Sequence, residues 1–237
     1  MVTPSVSTCV NVTQVVRRKI ARRVTGPIRP SAPRGIQRHR QYWLDSRSMN
    51  GALALVRHGQ TDWNLAGRLQ GQTDIPLNAT GREQARAVGA RLADEGWDVV
   101  LASPLGRAQE SAQIIAKTLG ARTGPPVPEL VERGFGPLEG QCRSELDEDL
   151  VQELMEQAEP RSAVLRRAVP ALLQLAATHP QRRILCVSHG ATMRIIRDTL
   201  LGRRLPQGVE NGEVVPLDLG ELRELELALR DGDPVVV

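Results

Sequence analysis

Aromatic side chains are scarce in this sequence: Phe, Trp and Tyr together make up 2% of 237 residues, so Leu, Val, Ile and Ala must fill its interior. Cysteine is scarce too. Cys9, Cys142 and Cys186 are an odd set without metal-ligand spacing, which excludes a disulfide framework or a cysteine-based structural zinc site and points to a reducing compartment, the cytoplasm. No apolar run approaches the ~20 residues that cross a bilayer, so no membrane partner is expected. The phosphate cradles GxxxxGKS/T and GxGxxG are missing, which removes nucleotide binding through those devices.

Acidic residues are nearly absent from one region. Residues 1–48 hold ten of the 31 Lys/Arg and one of the 27 Asp/Glu, leaving 21 basic and 26 acidic residues beyond them. The net charge of +4 therefore reports a basic extension on a mildly acidic body. The extension has no periodic core pattern, and Met49 shortly precedes the first strand-like run. The expected organisation is a basic, disordered extension or misplaced start over 1–48 and one domain over 49–237. A targeting segment and an arm that touches nucleic acid or membrane are the alternatives; no nucleic-acid partner is expected.

What is present centres on Leu53–Asn64, LALVRHGQTDWN. An apolar run of strand length breaks at Gly59, just after Arg57 and His58. In an α/β layout a ligand crevice opens at the carboxyl end of a strand, and a cation beside an imidazole there suits an anion. The layout recurs at ILCV followed by Ser188, His189, Gly190 and a helix-like ATMRIIRDTL. If the two strands are neighbours, both imidazoles stand at one sheet edge.

Between these corners, GRLQGQTDIPL is a punctuated loop, and Thr80 with Glu83 reads as a capping box opening a helix that buries Ala85, Val88 and Leu92 and stops near Gly96. Asp98–Ala102 is a second strand, followed by a helix through Leu119. Arg107 sits in its first turn, where the helix dipole disfavours a cation unless an anion lies between them. Val127–Val131 reads as a short edge strand, with Glu132 just past it and GFGPLEG as a glycine-rich turn. An acidic helix over 145–159 and a helix over 165–177 follow; Pro170 kinks the latter or marks its start. Val214–Leu219 and Leu225–Leu229 suit a closing hairpin, with a helix as the alternative over the second run. Alternating elements predict an α/β fold, a three-layer α/β/α sandwich around a mostly parallel sheet.

With these pieces in this order, the stretch from Ala52 to Leu200 resembles the histidine phosphatase superfamily, in its phosphoglycerate-mutase-like branch 1. The resemblance implies that His58 is a nucleophile that becomes phosphohistidine, a role suited to an imidazole with a reference pKa of about 6.5. It implies that Arg57, Arg107 and His189 surround the phosphoryl oxygens, His189 as donor and charge, and that Asn64 donates a further hydrogen bond. Glu132 takes the general acid/base position, Thr61 and Gln60 the phosphate rim, and Gly190 brings a backbone N–H to the anion. No metal or other cofactor is implied, and the partner is a small phosphorylated metabolite.

Two departures bear on the reaction. The segment between Gly140 and Arg161 is short and lacks a Gly-Glu-Ser sequence, and Leu138 stands where relatives often carry an aromatic. A reduced cover leaves a phosphohistidine open to water, which favours hydrolysis over transfer. The expected activity is a phosphomonoester hydrolase; a cofactor-dependent phosphoglycerate mutase and a non-catalytic phospho-ligand or protein-binding module are the alternatives.

Overall fold

Along the central strands, successive side chains enter two separate apolar layers. The computed structural model describes residues 51–232; the extension expected over 1–48 lies outside them, with Cys9 and His39. The strands are β1 (Ala52–Arg57), β2 (Val99–Ala102), β3 (Arg122–Thr123), β4 (Arg183–Ser188) and β5 (Val214–Leu217), in the order β3-β2-β4-β1-β5. β4 runs parallel to β1 and β2, and β2 parallel to β3; β5 is antiparallel to β1, with Pro216 opposite Ala54. The two residues of β3 are both exposed.

Leu53, Leu55, Val99, Leu101, Ile184 and Cys186 pack into one layer, with Val164, Leu165 and Leu172 of α5 (Arg161–Thr178), Met193 and Ile196 of α6 (Gly190–Leu200), and Leu222 of α7 (Leu219–Arg230). Their sequence neighbours Ala54, Val56, Val100, Ala102, Leu185 and Val187 enter the opposite layer, against Ala85, Val88 and Leu92 of α2 (Ala79–Leu92) and Ala108, Ala112 and Ile115 of α3 (Gly106–Leu119). A period of two with both faces covered explains why these strands read as continuous apolar runs. The predicted three-layer sandwich is the observed one. Two shorter helices, α1 (Asp62–Leu65) and α4 (Glu148–Glu156), flank it. No helix among the described residues is long and apolar enough to cross a membrane.

Several boundaries differ from expectation, each for a local reason. α2 is capped by Asn78, whose Oδ1 accepts from Gly81 N at 2.9 Å, so Thr80 is already inside the helix and forms no cap. The expected strand at Val127–Val131 is a 3₁₀ turn over Pro128–Leu130; Val127 N still bonds Ala102 O at 2.8 Å, but Pro128 has no N–H with which to continue a ladder. The closing hairpin is β5 followed by α7, because Asp218 Oδ1 accepts from Gly220 N and Glu221 N and starts a helix that buries Leu222 and Leu225. The acidic helix is confined to α4, capped by Asp147, and Pro170 lies inside α5. Leu138 is a core residue, packed with Phe135 and Ala158.

One close approach fixes the loop after β1. A Cβ on Gly59 would lie 2.2 Å from Gly81 O, and one on Gly81 would lie 2.1 Å from Gln60 O. The two glycines let the His58 loop lie directly on the first turn of α2.

Candidate active site

β1 and β4 are paired neighbours with Arg57 in register with Ser188, so the residues that follow, His58 and His189, meet at one sheet edge. Their ring centroids are 5.1 Å apart and the planes tilted by 58°. β2, on the other side of β4, delivers Ser103 and then Arg107 from the first turn of α3. His58, His189, Arg107 and Glu132 are all buried. The openness to water expected from the short cover does not reach the nucleophile: His58 is 2% exposed, enclosed by the neighbouring groups described below.

His58 Nδ1 lies 2.7 Å from Gly59 O. A carbonyl only accepts, so Nδ1 carries the proton and Nε2 keeps its lone pair. The loop that holds the ring is itself held: Gly59 N donates to Ser111 Oγ at 3.0 Å, and Asn211 Nδ2 donates to His58 O at 2.8 Å. His189 Nε2 lies 2.7 Å from Ser103 Oγ. With that hydroxyl donating, Nδ1 carries the ring proton, and Nδ1 is buried without a partner. Burial, reinforced by Arg57 and Arg107, pushes the pKa of His58 well below the ordinary histidine range; burial followed by His58 and Arg107 does the same to His189. The buried Nδ1 of His189 is therefore placed to act as a donor in this site.

Those depressed values set a pH dependence of stability. Both rings stay neutral when folded and take a proton in the unfolded chain below about pH 6.5. The unfolded state then binds more protons, so stability is complete above that pH and falls as the solution is acidified, by up to about 1.4 kcal/mol per pH unit for each ring. Urea midpoints taken between pH 7.5 and 5 should show this decline, with a smaller slope in His189→Gln. An unchanged slope in that variant would show that the ring is not held neutral.

Arg107 is inaccessible to solvent. Its Nη1 and Nη2 donate to Thr73 O and Gly71 O, each at 2.7 Å, and its Nε is buried without a partner. The anion inferred at this helix start is supplied by the chain itself: Asp74 Oδ2 accepts from Gly106 N at 2.6 Å, and its Oδ1 stands 3.5 Å from Arg107 Nη1. The loop bearing the two carbonyls is gathered by Glu139, whose carboxylate accepts from Gln72 N, Thr73 N, Thr73 Oγ1 and Phe135 N at 2.7–3.1 Å. Arg57 donates through Nη1 to Val209 O at 2.6 Å and leaves a buried Nε unpartnered. A Cβ on Gly190 would stand 3.2 Å from its guanidinium, so the glycine admits the arginine to the start of α6.

Glu132 sits on the amino end of α6. Its Oε1 accepts from Arg133 N, Thr192 N and Thr192 Oγ1, and its Oε2 from Ala191 N at 3.0 Å. Its charge acts on both Arg57 and Arg107, raising their pKa values against the larger lowering by burial. Asn64 reaches the same loop: its Oδ1 accepts from Thr61 N and from Asn211 Nδ2. Thr61 and Gln60 are committed to structure. Thr61 caps α1 and donates to Gln70 Oε1 at 3.0 Å, while Gln60 Oε1 accepts from Asn78 Nδ2 at 3.0 Å. Sequence reading missed Ser103, Ser111, Glu139 and Asn211; of these only Asn211, in an Asn-Gly turn, stands in a recognisable pattern. Among the described residues, no group of three or more His, Cys, Asp or Glu could hold a metal ion.

Two imidazoles and two guanidiniums at the carboxyl edge of a mostly parallel sheet make an α/β protein with a donor-rich site suited to an anion. The model of the histidine phosphatase superfamily (branch 1) matches residues 53–229, and this chain belongs to that family. It is 36% identical over 154 residues to the uncharacterized phosphatase PhoE of Bacillus subtilis (strain 168), covering 64% of this chain and 78% of that one. It is 38% identical over 159 residues to the metal-independent phosphoserine phosphatase of Arabidopsis thaliana, covering 61% and 66%. Other relatives bear the name probable phosphoglycerate mutase. Among solved structures, a mycobacterial glucosyl-3-phosphoglycerate phosphatase in complex with VO3 superposes with a TM-score of 0.61 at 27% identity, covering 70% of this chain and 92% of that one.

Proposed function

We propose that this chain hydrolyses small phosphomonoesters in the cytoplasm through a phosphohistidine on His58, without a metal ion. The observation that carries the reading is a set of buried nitrogens around a neutral nucleophile: Arg57 Nε, Arg107 Nε and His189 Nδ1 have no hydrogen-bond partner. Buried donors are rarely left unpaired, and a phosphoryl group supplies the oxygens that would satisfy them. His58 Nε2 attacks phosphorus and the ester P–O bond breaks. A proton carried by the entering monoanionic ester passes to the departing oxygen through Glu132 Oε2, where only the Ala191 N–H is bound. Water then attacks the phosphorus of the P–N bond, Glu132 takes the water's proton, and orthophosphate leaves with the ring restored. Fixed donors that match the charge spread over the transferring oxygens provide most of the acceleration.

Phosphate release should be followed over a panel of phosphorylated metabolites with and without EDTA, beside a phosphoglycerate-interconversion assay. Release that survives the chelator is expected. Interconversion without release would replace hydrolysis by mutase chemistry, and binding without either reaction would make the chain a phospho-ligand module.

A further inference from the structure

The turn that leads into β5 meets the residues of the candidate site, and the reaction above assigns it no role. Glu210 N donates to Glu213 Oε2 at 2.7 Å and Glu213 N to Glu210 O at 2.9 Å, so residues 210–213 form a closed turn. Two backbone bonds fasten it to β1: Gly212 N donates to Arg57 O at 3.0 Å, and Arg57 N to Glu213 O at 3.1 Å. α2 holds it as well, through Arg91 Nη2, which donates to Gly212 O at 2.9 Å. Gly212 has a φ of 75°, and a Cβ there would stand 3.1 Å from Val88 Cγ2, so glycine alone suits both this backbone and its contact with α2. Asn211 is thus carried on a turn anchored to two elements.

The partners of its amide decide which way that amide points. Nδ2 carries two hydrogens, and two oxygens receive them: His58 O at 2.8 Å and Asn64 Oδ1 at 3.3 Å. His58 O is a backbone carbonyl and can only accept. The Asn64 atom that faces Asn211 is fixed as oxygen in the same way, because Thr61 N donates to it at 3.2 Å. With its oxygen committed to these two donors, Asn64 keeps Nδ2 for a substrate. Turned over, the same amide would set its carbonyl oxygen against an anion. We infer that Asn211 is a positioning residue, which sets the amide of Asn64 to donate to the transferring phosphoryl group and holds the His58 loop by its carbonyl. The inference rests on the phosphoryl-transfer reading and adds to it a residue that acts through two others.

The test measures kcat/KM for a phosphomonoester that the native chain hydrolyses, and the affinity for inorganic phosphate by titration calorimetry. Asn211→Leu, close to the native side chain in size but without a donor, should lower kcat/KM about ten- to hundredfold. Asn211→Gln keeps the amide and should recover part of the loss. In an Asn64→Ala background the change to leucine should cost only about threefold, since a group it acts through is already gone. A folded Asn211→Leu protein with native kcat/KM, or a loss that multiplies in full with that of Asn64→Ala, overturns the inference. Asn211→Asp, which keeps the native shape and sets an oxygen against both acceptors, gives the same contrast where leucine prevents folding. Phosphate binding separates this idea from the hydrolase reading. A chain that releases no phosphate from any ester, yet binds phosphate and loses that affinity in Asn211→Leu, would retain the positioning role and reject hydrolysis.

Discussion

Replacing His58 by asparagine is expected to lower turnover at least about ten-thousandfold, because the change removes the nucleophile that takes the phosphoryl group from the ester. The asparagine amide has no basic lone pair to attack with, whereas the oxyanion-binding groups around it remain. The phosphoenzyme should vanish with turnover. Native protein quenched under alkaline conditions during turnover should gain one phosphoryl group on the tryptic peptide containing His58, and the variant none. His58 also makes a hydrogen bond to its neighbour's carbonyl, so thermal unfolding has to be measured alongside. A folded His58→Asn protein that still turns over would remove the covalent mechanism.

Arg107→Lys is expected to reduce kcat/KM by about 10²–10³ with a modest loss of stability. An ammonium could bond Gly71 O or Thr73 O, but it cannot satisfy both and present an Nε–H to an anion, as the guanidinium does. Arg107→Ala should be much more severe for the fold, since two buried carbonyls lose their donor and a large side chain leaves a cavity. The lysine variant keeps the test readable where the alanine variant fails to fold. Glu139→Gln offers an independent check from a residue outside the pocket. It weakens the acceptor that gathers the 71–73 loop, so kcat/KM should fall while melting shifts little. Full activity in the lysine variant would show that Arg107 is structural.

Strands β1 and β4 and their histidine corners were legible because each rests on a local pattern: an apolar run that ends in a polar pair and a glycine. Arg107 was legible from the mismatch between its charge and the helix dipole, although the balancing anion proved to include Asp74. The groups that hold these residues in place were hidden. Gly71 O, Thr73 O and Val209 O are backbone acceptors with no sequence signature, and Glu139 reaches the 72–73 amides from more than sixty positions away. The closing hairpin failed for a different reason. Leu219–Leu229 carries apolar residues that suit periods of two and 3.6 alike, and the deciding information was Asp218 as a cap.

The two borders of the sheet carry a consequence for how this protein meets other chains. On one side lies a two-residue strand whose Arg122 bears a charge into solvent; on the other, Pro216 offers no amide hydrogen to an incoming backbone. Neither border is a template for strand addition, so the described residues resist amyloid-like stacking and swapped ladders despite a centre rich in Val, Ile and Leu.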